Sequence, residues 1–420
     1  MPTPLDYLLD ASAVRAVFRP IVERETKEVV AYDALPQGPV GSELEDASAL
    51  FDAARAEGRL RELDWAFRRA ALEDSLAAGV RPPLSLFLRV EADALHESVP
   101  EELAGPWERA RRDLSIVLEF SERALLERPA ELLRTATRVR ELGWGVALGG
   151  VGASLRCLAL MPLLRPDTVR LDLALVERRS ASEFARISTA VSAYAEHTGA
   201  IILADGVETD DHLAEAAALG ATLAGGPRLG ASGPLPSPLP KPTLPVTQLA
   251  PPPRHGGSTP MQILVGEHAP RRASKDLLLA MTHHLEGQAA ALGEGAIVLS
   301  TFEGPEHFGR RTSDRYEEMA RHSALVAALG PRFGTQPAPG VRGAALETGD
   351  PIATQWTVIV VGQHFAAALA SQAVDAGLGP QRTFEFVLTY DRKRVTEAAA
   401  AVMARVAPLS VRPVDAAAAA

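Results

Sequence analysis

Acidic and basic residues close a series of apolar, strand-like runs in the first 230 residues. Asp33 follows VVAY, Arg89 follows SLFL, Glu119 follows SIVL, Arg170 and Asp172 lie in TVRLD, and Asp205 and Glu208 lie in IILADGVE. Carboxylates brought together in this way are hard oxygen ligands for a cation such as Mg²⁺. Arginines among them either grip phosphate or neutralise the acids as ion pairs. Between Glu119 and Arg170 the run VALGGVGAS places Gly149, Gly150 and Gly152 in a loop where backbone can approach a ligand closely. As a nucleotide motif it is incomplete. A dinucleotide fingerprint needs a third glycine where Leu155 stands, and no lysine follows to make a phosphate-binding P-loop.

These residues need a frame that brings strand ends together. Strands are expected over 17–22, 29–35, 84–90, 115–120, 145–148, 168–172, 200–204 and 222–224. Helices are expected over 47–57, 61–78, 130–142, 181–197 and 211–219. Strand and helix alternate, which suits one α/β barrel whose functional side chains gather at the C-terminal mouth of the strands.

Composition bounds the rest. At 420 residues the chain is long enough for two sizeable cores. Its 53 acidic against 43 basic residues give a net charge of −10, which argues against general nucleic-acid binding. No apolar run reaches the ~20 residues that a membrane span needs. The start, MPTPLDYLLDASAVR, lacks a basic segment followed by an apolar one, so no secretion signal is read there. The single cysteine, Cys157 in LRCLALMPLL, excludes an intrachain disulfide or a cysteine metal cluster and reads as a buried thiol. The cytoplasm is the expected compartment.

Six blocks carry a family resemblance: FRPIVERETKEVVAYDAL, SLFLRVEADAL, IVLEFSE, ELGWGVALGGVGAS, RPDTVRLDLALV and ILADGVETDDHLAEAAALGATLAGGPRLG. In order and spacing they resemble the EAL family of cyclic di-GMP phosphodiesterases over roughly residues 10–233, which implies a TIM-like (β/α)8 barrel. The resemblance also implies chemistry in which two divalent cations, Mg²⁺ or Mn²⁺, activate water and clamp a phosphodiester. On that alignment the glutamate of the family's name falls on Asp33 and the asparagine of the next metal-binding block on Arg89. The third block's glutamate is Glu119. The paired metal-holding aspartates fall on Gly149 and Gly150, the catalytic lysine on Arg170, the late glutamate on Glu208, the late glutamine on Gly225 and a substrate-gripping arginine on Gln37.

The site read this way is degenerate. Glycine brings no side-chain oxygen, and a fixed cation ~4 Å from a metal, as Arg89 would be, costs about 4 kcal/mol per unit charge at an effective dielectric near 20. Arg170 stays protonated and is a poor general acid or base. The expectation is a closed ion-pair cluster in place of a metal centre, with Glu119 paired to Arg89 or Arg170 and with Asp172 and Glu208 joining it. No catalytic residue, metal or cofactor is expected. Two other readings stand beside this one. A weakly active cyclic di-GMP phosphodiesterase would use Asp33, Glu119 and Glu208 with Mg²⁺ or Mn²⁺. A metal-independent cyclic di-GMP receptor would bind through Gln37, Arg89, Arg170 and Asp172.

Ten prolines fall within residues 231–260, which reads as an extended, semi-rigid linker. Beyond it, strands are expected over 296–302, 341–346, 356–361 and 383–389, and helices over 275–292, 313–329, 365–376 and 392–406, the last capped by Asp391. The segments FEGPEHFGRRTSDRYEEMARHSALVAALG, PGVRGAALETGDPIATQWTVIVVGQHFAAALA and RTFEFVLTYDRKRVTEAAAAVMARV resemble the DICT domain, a bacterial sensory module. His307, Phe308, Arg310, Arg311 and Tyr316 either line a pocket there or pack the following helix. The expected organisation is a degenerate EAL-like barrel over 1–233, a linker over 234–260, a smaller α/β DICT-like sensory domain over 261–410 and a tail over 411–420. The expected function is regulatory, exerted through protein partners in bacterial signalling, with a homodimer through the barrel as one arrangement and no role for nucleic acid or membrane.

Overall fold

In the computed structural model eight strands close into a barrel in chain order. They are β1 Arg15–Glu23, β2 Val29–Gln37, β3 Ser85–Val90, β4 Ser115–Ser121, β5 Gly145–Val151, β6 Thr168–Asp172, β7 Ile201–Asp205 and β8 Leu223–Gly225. The structure describes residues 3–10, 13–95, 99–243, 246, 258–266, 269–374 and 382–408. The chain divides into two compact units, residues 1–125 with 134–253 and residues 254–420 with the short segment 126–133. Among the described residues no helix is long and apolar enough to cross a membrane.

Strands β2 to β8 are parallel, whereas β1 runs antiparallel to both of its neighbours. The cause is local. Only residues 24–28 join β1 to β2, and so short a connection can return only to an antiparallel neighbour. Lys27 takes φ 60° to close that turn. The resulting register sets Arg19 opposite Asp33 and Ile21 opposite Ala31.

Side chains alternate across each strand, so every second residue points into the barrel. Ile21, Ala31, Phe87, Val117, Ala147, Leu203 and Leu223 make one buried apolar cluster toward the N-terminal ends of the parallel strands. Two residues toward the mouth, forwards along the parallel strands and backwards along β1, lie Arg19, Asp33, Arg89, Glu119, Gly149, Asp205 and Gly225, joined by Arg170. The outer helices supply the second half of the core. Helix Leu60–Ala77 buries Leu63, Phe67 and Ala71 at four-residue spacing. Helix Ala181–Thr198 begins on a Ser180/Glu183 capping box and ends on Gly199 at φ 74°.

The proline-rich segment is not free along its whole length. Gly233 exchanges backbone hydrogen bonds of 2.7 and 3.1 Å with Phe18 of β1, and Val246, 3% exposed, belongs to the apolar cluster at the barrel's N-terminal end. An isolated valine between prolines gives no periodic signal in sequence, yet extended chain can present a single side chain to a core.

The second unit is built on a seven-stranded sheet in the order β12-β11-β10-β13-β14-β15-β9. Its strands are β9 Arg271–Ser274, β10 Ile297–Thr301, β11 Leu325–Gly330, β12 Arg342–Ala345, β13 Gln355–Val361, β14 Ala366–Ala373 and β15 Thr383–Thr389. Two expectations fail here. The helix expected over 365–376 is β14, and the helix expected over 313–329 stops at His322, leaving 325–330 to β11. Both are alanine-rich runs that favour helix by propensity, and both lie inside the sheet, paired on each side. Helices Lys275–Leu292 and Arg310–His322 cover one face through Leu278, Leu285, Tyr316 and Met319, packed on Val298, Val358, Val360 and Leu369. Asp391 caps helix Arg392–Met403, accepting from the Arg394 amide at 2.8 Å. Phe308 and Tyr316 join Phe302 and Phe333 in an aromatic cluster with ring centres 5.2–5.9 Å apart, while the Arg310 side chain is 95% exposed. Phe308 and Tyr316 thus pack the helix, whereas Arg310 stands in solvent.

Candidate functional site

At the mouth of the barrel, three carboxylates from three strands converge on one guanidinium. Arg170, on β6, is buried. Its Nη1 donates to Asp33 Oδ1 at 3.2 Å and to Glu119 Oε2 at 2.6 Å, its Nη2 to Asp33 Oδ2 at 2.5 Å, and its Nε to Asp205 Oδ2 at 3.0 Å. All three nitrogens therefore face carboxylate oxygens. A second arginine, Arg19 of β1, bridges the same acids, with Nη2 3.0 Å from Asp33 Oδ2 and 2.8 Å from Asp205 Oδ1. The antiparallel β1 hairpin places it there, through its register with Asp33.

The cluster is electrostatically uneven, with two cations among three acids. Burial favours the neutral form of Asp33, but Arg170 and Arg19 together outweigh it and hold its carboxyl below the usual range. Glu119 goes the other way. Burial pushes its pKa up, Arg170 offsets this only in part, and the charge of Asp33 adds to the rise. For Arg170, burial opposes the charge, yet Asp33, Glu119 and Asp205 hold the guanidinium far above its ordinary value.

Gly149 makes room for this arrangement. A Cβ built on it would lie 2.2 Å from Glu119 Oε1 and 2.7 Å from Glu119 Cδ, so the glutamate lies across the bare backbone of β5. Gly150 has φ 71°, and the β5 to β6 register shifts between Leu148 and Val151, so the strand bulges at the mouth. Around Gly150 a Cβ would meet nothing within 4 Å. At Gly225 a Cβ would touch Asp205 Oδ1 at an ordinary 3.7 Å.

Other sequence-derived candidates fall outside the cluster. Arg89 does not pair with Glu119: its side chain is 56% exposed and its Nε lies 3.2 Å from Glu91. Asp172 caps the short helix Leu173–Val176, accepting from the Leu175 amide at 3.1 Å, because its carboxylate stands at a helix start. Glu208 is exposed, and its backbone amide donates to His212 Nδ1 at 3.1 Å. Gln37 is half-buried at the end of β2. The sequence reading gave Arg19 no role. Its signal was the two-residue spacing from Ile21, which puts a charge on the core face of a strand.

Residues 5–230 match the EAL domain family model, more than half of the chain. The protein belongs to the EAL family. Residues 261–373 match the DICT domain, described as a sensory domain in diguanylate cyclases and two-component systems. An EAL domain followed by a DICT domain indicates cyclic di-GMP signalling. The chain is 27% identical over 219 residues to YkuI, an uncharacterized EAL-domain containing protein of Bacillus subtilis strain 168. That alignment spans 51% of this chain and 53% of YkuI, about half the length of the relative. Among solved structures, the Xanthomonas citri FimX EAL domain in complex with c-diGMP aligns at 17% identity and a TM-score of 0.46, covering 55% of this chain and 92% of that one. The Klebsiella pneumoniae BlrP1 manganese/cy-diGMP complex aligns at 22% identity and a TM-score of 0.44, covering 51% of this chain and 54% of that one. In this EAL barrel the mouth is thus occupied by an arginine-centred ion-pair cluster.

Proposed function

We propose that this protein is a non-hydrolytic EAL protein that acts in cyclic di-GMP signalling through contact with a protein partner, with its DICT unit as the sensory module. The observation that carries the reading is the Arg170 guanidinium, buried among Asp33, Glu119 and Asp205. The residues present do not fit the divalent cations that the family implies. The acids that would ligate them are engaged by arginine, and Gly149 and Gly150 supply no side-chain oxygen. A guanidinium does not release its proton, so Arg170 cannot exchange protons with an attacking water.

The same engagement weighs against a receptor that grips phosphate through Arg170. Its donors are already directed at carboxylates, and a phosphodiester would have to displace a buried, multiply paired acid. Arg89 is exposed but sits beside Glu91. With its carboxylates engaged by Arg170 and Arg19, the barrel is suited to passing a signal by its surface.

The test uses the full chain with cyclic di-GMP and excess Mg²⁺ or Mn²⁺, and chromatography for the linear dinucleotide. No product is expected. Metal-dependent linearisation that disappears in Glu119→Gln overturns the reading. Calorimetry without metal completes the test: heat of binding with intact recovered nucleotide makes the protein a receptor instead.

A further inference from the structure

We propose that strand β9 is the docking edge for an extended acidic segment of a partner protein, which pairs with it and adds one more strand to the sheet of the second unit. The proposal deepens the action by contact argued above and rests on it for its use in signalling, while the geometry stands by itself. The two ends of the seven-stranded sheet differ. At β12 the outward backbone is taken up by loops: the Gly343 amide donates to the Thr335 carbonyl at 2.9 Å, and the Gly343 carbonyl accepts from the Ala407 amide at 3.2 Å. Among the described residues, no such loop bonds to β9.

The register fixes what β9 presents. The Val374 amide donates to the Thr383 carbonyl at 3.0 Å, so Thr383 and, two residues on, Glu385 direct their backbone groups toward β14. On the other side of β15 these residues stand opposite Ser274 and Arg272, which therefore turn their own backbone groups away from the sheet. Unpaired donors and acceptors in a row are a template for another strand. Pro270, just before β9, has no amide to add and ends the template there.

Side chains decide which strand fits. Arg272 lies 3.1 Å from Glu385 on one side of the sheet and is 67% exposed, so it can meet a second acid. Arg271 is exposed on the other side, its guanidinium 4.8 Å from the centre of the Phe386 ring. On that side Ala273 joins Phe384 and Phe386 in the core, and the covering helix leaves Leu277 48% exposed. An antiparallel strand with acids on the Arg272 side and apolar residues on the Ala273 side complements both. A basic strand is repelled, and a second copy of β9 centred on Arg272 sets arginine against arginine.

The experiment uses the full chain without nucleotide and a short fluorescein-labelled peptide of alternating valine and glutamate, followed by fluorescence anisotropy at low salt. The peptide is expected to bind and to be released as salt is raised. Arg272→Glu turns an attractive cross-strand pair into a repulsive one and is expected to weaken binding at least about fivefold. Arg272→Pro removes an outward amide and is expected to abolish it. A second comparison needs no variant. In an antiparallel pair the glutamate nitrogens face β9 and the valine nitrogens face away, so methylating the former is expected to abolish binding to wild type and methylating the latter to leave it intact. The proposal is overturned if the acidic peptide does not bind, if its lysine counterpart binds as well, or if the two methylated peptides behave alike. It is also overturned if sedimentation shows a wild-type dimer that Arg272→Pro dissolves, since a second copy then occupies the edge. Hydrolysis of cyclic di-GMP by wild type would defeat the functional reading alone, because these measurements contain no nucleotide.

Discussion

Five charged side chains form the ion-pair cluster at the barrel mouth on unequal terms. Asp33 touches both arginines and Glu119 touches one, so the two acids should answer differently to neutralisation. Asp33→Asn takes away the carboxylate that both guanidiniums share, leaving them Glu119 and Asp205, and is expected to cost about 1.5–3 kcal/mol, the range for losing a hydrogen bond to a charged group. Glu119→Gln is expected to cost less. The pH dependence follows from the directions of the shifts. Stability supplied by Asp33, whose folded pKa is lowered, is present above its ordinary value of 3.8 and is lost as pH falls through the folded value. For Glu119, whose folded pKa is raised, the contribution is present below 4.5 and is lost as pH rises through the folded value. The stability difference between wild type and Glu119→Gln should therefore narrow as pH rises above 4.5, measured by urea unfolding at successive pH values. Parallel curves would mean that Glu119 holds its charge as firmly as Asp33. Asp33, Glu119 and Arg170 were legible because each closes an apolar run on the inward side of a strand. For Arg19 the spacing from Ile21 marked a charge on a core face, but its partners depend on a hairpin register that no motif encodes; Asp172 and Glu208 lie outside the cluster because a charge beside a strand end is equally at home as a cap or in solvent.

Strand β5 shows how one element sets the geometry of the others. Gly149 and Gly150 are adjacent, yet they should respond to substitution by different routes. Gly150→Ala places a side chain in open space at φ 71°, so its cost is backbone strain of about 1–2 kcal/mol, whatever its neighbours are. Gly149→Ala drives a methyl group into Glu119 and displaces it from Arg170, so its cost passes through the ion pair. A double-mutant cycle with Glu119→Ala separates them by urea unfolding. The Gly149→Ala penalty is expected to vanish in that background and the Gly150→Ala penalty to persist; equal persistence of both would remove Glu119 from the explanation. The same element scale marks where sequence patterning ran out. Barrel strands were readable because β-branched runs alternate with long amphipathic helices, and β6 falls on residues 168–172 as expected. In the second unit β11 and the first five residues of β14 are apolar, alanine-rich runs buried between neighbours, and such runs carry neither the two-residue nor the 3.6-residue period that separates strand from helix.

For the chain as a whole, the informative piece is the segment between the two family matches. The proline content predicts an extended connection, but the described part is fastened to the barrel at Gly233 and again at Val246. The span in which the connection is free to act as a spacer is shorter than composition suggests, and the barrel's N-terminal end is closed in part by a residue that follows its last strand. Fully burying a valine contributes about 1.5–3 kcal/mol. A charge at that position would leave the apolar cluster and remain in water. Val246→Asp is therefore expected to release the segment, to lower the stability of the barrel by about that amount and to speed protease cleavage within residues 234–246. Val40→Asp, at a site 75% exposed, provides the control and should change neither quantity. Urea unfolding followed by barrel tryptophan fluorescence, with timed proteolysis of the same samples, reads both effects. If Val246→Asp and Val40→Asp behave alike, the valine is not an anchor and the connection is a spacer over its full length.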